Sequence, residues 1–69
     1  MKVLAENSGP GYYVVTTTAE GTKDAPPGAV ARIGVMHSNE ETVVWVHTNE
    51  DEAITLHHQI VVDIELSSG

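Results

Sequence analysis

The stretch Ile54-Thr55-Leu56-His57-His58-Gln59-Ile60-Val61-Val62-Asp63-Ile64-Glu65-Leu66 decides how this chain is read. Its even positions are large and apolar with the one exception of His58, while Thr55, His57, Gln59, Val61, Asp63 and Glu65 fill the odd ones. A strand turns successive side chains to opposite faces, so the alternation predicts a long β-strand, or two joined in register, with the even parity against a core. On that reading His58 is a hydrogen-bonded core histidine or a subunit contact, and His57 is solvated.

Upstream, Thr42 to Thr48 also has strand composition, but here both parities are apolar: Val43 and Trp45 on one side, Val44 and Val46 on the other. A strand apolar on both faces is central in a two-sided core or covered by another chain. Trp45, Val44, Val46 and His58 are therefore the interface candidates. Tyr12 to Thr18 and Ala29 to Met36 supply two further β-branched strands. The cluster Asn7-Ser8-Gly9-Pro10-Gly11 punctuates the chain before them, and the Ala19 to Gly28 loop, which holds Pro26 and Pro27, separates them. No helical periodicity of useful length stands out. The expected fold is all-β, one domain over residues 1–69: a small antiparallel barrel or sandwich of five to six short strands, of SH3-like or OB-like size.

Two segments repeat each other, His37-Ser38-Asn39-Glu40-Glu41 and His47-Thr48-Asn49-Glu50-Asp51. Their offset of about one strand and one turn puts them at opposite ends of a meander. Glu40, Glu41, Glu50, Asp51 and Glu52 are candidates for acidic contact loops. Neither segment has the spaced oxygen ligands and central glycine of a calcium loop. The same strand directions part His47 from His37, His57 and His58, so no metal centre is expected, and no cofactor.

Ten carboxylates against Lys2, Lys23 and Arg32 leave a net charge of −7. Such a surface repels nucleic acid and anionic membranes, which excludes both as direct partners. Without a basic start followed by an apolar stretch, the N-terminus does not read as a signal peptide, so a cytoplasm, or a particle assembled in one, is the expected setting. Cysteine is absent, and so are a nucleophile elbow, a P-loop and a zinc-protease helix; the chain does not read as an enzyme.

A chain of 69 residues without phenylalanine makes a small core, and burial between subunits would supply the missing area. The function expected is that of a non-catalytic β module, homo-oligomeric and either structural or protein-binding, of a composition that suits an accessory part of a phage or bacterial assembly. The alternative is an acidic inhibitor that mimics nucleic acid to block a basic groove. A weaker one is a small-molecule or metal-binding barrel using His58 and Trp45.

Overall fold

The computed structural model of the chain describes residues 1–68. Four strands, β1 (Val3–Gly9), β2 (Tyr12–Thr18), β3 (Ala31–His37) and β4 (Glu40–Val46), precede one helix, α1 (Glu50–Ser68). The strands form an antiparallel meander in the order β1-β2-β3-β4, and α1 packs on one face of it. This corrects the expected all-β barrel or sandwich of five to six strands. The sheet is open, with no pairing between β1 and β4, and the segment read as a fifth strand is helical.

The helix prevails over the strand for reasons that begin at its first residue. Asn49 caps it: its side-chain oxygen accepts the Glu52 amide at 2.7 Å, and its carbonyl accepts the first helical bond, from the Ala53 amide. Glu50, Asp51 and Glu52 place three negative charges in the first turn, where the helix dipole favours them. The buried positions are Ala53, His57, Val61 and Ile64, with Ile60 half-buried between them. At 100° per residue these five fall within about 100° of arc, the width of one core-facing stripe. The even positions, by contrast, are spread around the whole circumference. Leu56, Val62 and Leu66 are exposed accordingly.

Tight turns set the register of the sheet. Ser38 and Asn39, with φ of 54° and 66°, make the two-residue left-handed turn that matches the twist of a hairpin, and they pair His37 with Glu40. Pro10 and Gly11 join β1 to β2, and Gly11 supplies the positive φ of 80° that the turn needs. Consequently β4 starts at Glu40 rather than at Thr42, and β1 runs through Asn7 and Ser8 instead of ending at them. Val14, Ala31, Ile33 and Val46 of the sheet meet Ala53, Val61 and Ile64 of the helix in the core.

The helical stripe and the strand parity make opposite forecasts at adjacent residues. Val61→Asp should abolish the cooperative unfolding transition, because an unpaired charge would enter the core. Val62→Asp, on the exposed side, should change stability by no more than about 0.5 kcal/mol. Denaturant titration of the two variants checks this; equal tolerance at both positions would refute the helical packing.

Candidate functional site

Residue by residue, the structure reverses the roles of the paired histidines. His58 is exposed, whereas His57 is completely buried between α1 and the sheet. The His57 ring spans two strands, with Nδ1 2.7 Å from the Thr16 hydroxyl on β2 and Nε2 2.7 Å from the Asn7 side-chain oxygen on β1. An amide oxygen only accepts, so Nε2 carries the proton, and in the neutral ring Nδ1 accepts from the Thr16 hydroxyl. The neutral ring therefore satisfies both partners. Burial pushes its pKa below the ordinary histidine value, and the neighbouring His58 ring adds to the depression. A second polar tie runs from the Tyr12 hydroxyl, which donates to the Glu65 carboxylate at 2.9 Å and links β2 to the distal part of the helix. That carboxylate holds the phenolic proton and raises the tyrosine pKa.

Among the described residues no helix or strand packs on the other face of the sheet, and Met1, Thr22 and Asp24 flank only its Trp45 end. Register and parity set three rows of side chains across it: Val3, Thr17, Arg32 and Trp45; then Glu6, Val15, Gly34 and Val43; then Ser8, Tyr13, Met36 and Glu41. Val3 is 56% exposed, Tyr13 and Met36 are each 40% exposed and Val43 is 36% exposed, so four large apolar side chains face outward together. Trp45 is half-buried beside them.

Arg32 crosses the middle of this face. A Cβ on Gly34 would come within 2.9 Å of the Arg32 Nη1, so the guanidinium lies over Gly34 and a larger residue there would push it aside. The arginine divides two depressions. One, of about 130 Å³, is bounded by Tyr13, Met36 and Glu41. The other, of about 450 Å³, is bounded by Met1, Asp24, Val43 and Trp45. Among the described residues no carboxylate forms an ion pair with Arg32. Thr17, in the same row, is 4% exposed, and among the described residues its hydroxyl has no hydrogen-bond partner. The Tyr13 hydroxyl donates to the Glu6 carboxylate, which raises the pKa of this phenol too.

The residues singled out in the sequence are divided by this geometry. Trp45 belongs to the open face, whereas Val46 is buried and Val44 half-buried on the helix side. Glu40 and Glu41 lie in β4, next to the hairpin turn, and Glu50, Asp51 and Glu52 form the first turn of α1 beyond the opposite end of that strand. The two acidic groups do not meet. Among the described residues no cluster of three His, Asp, Glu or Cys side chains could hold a metal ion, and no helix is long and apolar enough to cross a membrane. Sequence reasoning missed Arg32, Tyr13, Met36 and Val43 as one surface. The signal was available in the two-residue hairpins, because fixed turns fix register and register sets the rows. No protein-family model matches the chain, and no curated protein or solved structure is significantly similar to it.

The neutral imidazole makes stability depend on pH with a definite sign. The folded pKa of His57 lies below the unfolded value of about 6.5, so the unfolded chain binds the extra proton first. Its contribution to stability is complete above pH of about 6.5 and is lost as pH falls through that value toward the folded pKa. Denaturant midpoints should therefore drop between neutral and mildly acidic pH, and His57→Gln should flatten the drop. NMR titration that places the His57 ring at or above the ordinary histidine value would contradict this.

Proposed function

We propose that this chain is a non-catalytic β module that works as a homo-oligomeric structural or protein-binding component, with the open face of its sheet as the contact surface. The observation that carries the reading is the composition of that face. Trp45, Tyr13, Met36 and Arg32 are of the residue types enriched at the centres of protein interfaces, and they occupy adjacent rows around Val15 and Val43. Carboxylates lie toward its margins, with Glu6 on β1 and Glu41 near the turn into β4, in the manner of a polar rim. The accessible surface, 4497 Å², exceeds the roughly 4,200 Å² expected for a folded monomer of 7.4 kDa, as an open sheet requires. A role as an accessory part of a larger assembly fits such a surface on so short a chain.

Sedimentation velocity across a salt series tests the reading. Self-association at micromolar concentration is expected to survive about 0.5 M salt, where charges are screened within a few ångströms. It is expected to weaken at least tenfold in Trp45→Ala, a half-buried site whose truncation leaves the helix-side core in place. A monomer at every concentration, or an assembly that salt dissolves while Trp45→Ala still associates, would overturn it.

A further inference from the structure

The two edges of the sheet are unequal. β1 is broken by a register shift between Val3 and Ala5 and is preceded by Lys2, two of the devices that keep an edge from pairing with another chain. β4 has neither: its seven residues keep an unbroken register with β3 and contain no lysine or proline. The principal contacts of α1 are with β1, β2 and β3, so the helix leaves the far side of β4 uncovered.

The direction of each backbone group on β4 follows from the turn. The two-residue hairpin makes His37 and Glu40 a hydrogen-bonded pair, and at the other end the Val46 carbonyl accepts from the Val30 amide at 2.7 Å. Even residues of β4 therefore point their N–H and C=O groups inward to β3. Those of Glu41, Val43 and Trp45 point out from the edge, and their side chains stand on the open face.

We infer that β4 pairs antiparallel with β4 of a second copy of this chain, in the register that sets Val43 opposite Val43 of the partner subunit. This inference rests on the proposed self-association and adds the free edge beside the open face to its contact surface. Val43 is the midpoint of Glu40–Val46, so this register alone overlaps the whole strand. About six ladder hydrogen bonds form from the outward groups of the two edges. Glu40 then faces Val46 of the partner subunit and Glu41 faces Trp45 of the partner subunit, so no acid opposes an acid. A shift that centres Glu41 would bring like charges together. Charge also matches across the seam. Arg32 lies in the row of Trp45, which puts it two strands, about 9.5 Å, from Glu41 of the partner subunit, within the combined reach of two long side chains. The product is a continuous eight-stranded sheet with both helices on one side and both apolar faces on the other.

The absence of cysteine makes the register directly testable. Val43→Cys places two thiols about 5.5 Å apart at Cα, within the range a disulfide spans. Mild oxidation is expected to convert this variant to a covalent dimer at least tenfold faster than Gln59→Cys, on the exposed side of the helix. Val43→Pro, which removes an outward N–H but none of the hydrogen bonds to β3, is expected to be monomeric with an unchanged circular dichroism spectrum, whereas Val43→Ala, which keeps that N–H, is expected to remain dimeric. A dimeric wild type in which Val43→Cys crosslinks no faster than the control refutes the edge pairing while leaving the open-face reading intact. A monomeric wild type refutes both.

Discussion

A single helix can cover only one face of a sheet, and not the full width of that face. With its side chains α1 is about 10–12 Å across, while four strands spaced by roughly 4.8 Å extend over more than 14 Å between the outer backbones. Lying over β1, β2 and β3, it leaves uncovered the outer edge of β4 and the entire opposite face. The open face and the free edge of the sheet follow from that shortfall. Among the described residues, no helix or strand covers the surface of Trp45, Val43, Met36 and Tyr13, and no strand pairs with the outer edge of β4.

The covered face is built to bring the helix close. Ala31 and Ala53 are fully buried, and small side chains at these positions let the two layers approach. Into the remaining space goes an imidazole, a polar group in the middle of a small aliphatic core. Burying it without partners would cost about 1–3 kcal/mol for each unsatisfied nitrogen. Thr16 and Asn7 supply both hydrogen bonds, from two different strands, so His57 also specifies where the helix sits along the sheet. An aliphatic residue of similar size could fill the volume, but it would not choose between one seating of the helix and another. The polar tie therefore contributes specificity to a core made mostly of Val, Ile and Ala.

Much of the sheet was legible before any coordinates. The Tyr12 to Thr18 strand coincides with β2, and the strand through Val43 and Trp45 was divided correctly into two faces. The acidic segments around Glu40 and Glu50 stand at opposite ends of β4, as the chain direction implied. The error lay in the last third of the chain. Of the seven apolar residues at 54, 56, 60, 61, 62, 64 and 66, six share the even parity, whereas around a helix the seven are spread over the whole circumference, so apolar period alone pointed to a strand. The one local sign of a helix was the cap: Asn49 with Glu52 three residues on, then Ala53. Reading Asn49-Glu50-Asp51-Glu52 as a solvated loop hid the start of a helix.

By itself the sequence determined a cysteine-free, acidic chain whose first two thirds is punctuated into hairpins, because turn residues and β-branched runs act through local sterics. It also determined that Trp45 and Val43 share a side, since alternation along a strand is a property of the backbone. Only the tertiary structure decided that Ile54 to Leu66 is helical and that His57 rather than His58 is enclosed. Those choices depend on which surface lies opposite. A stripe containing Ala53, His57, Val61 and Ile64 gains from burial only when Val14, Thr16, Ile33 and Asn7 are arranged to receive it, and that arrangement exists only once the strands have paired.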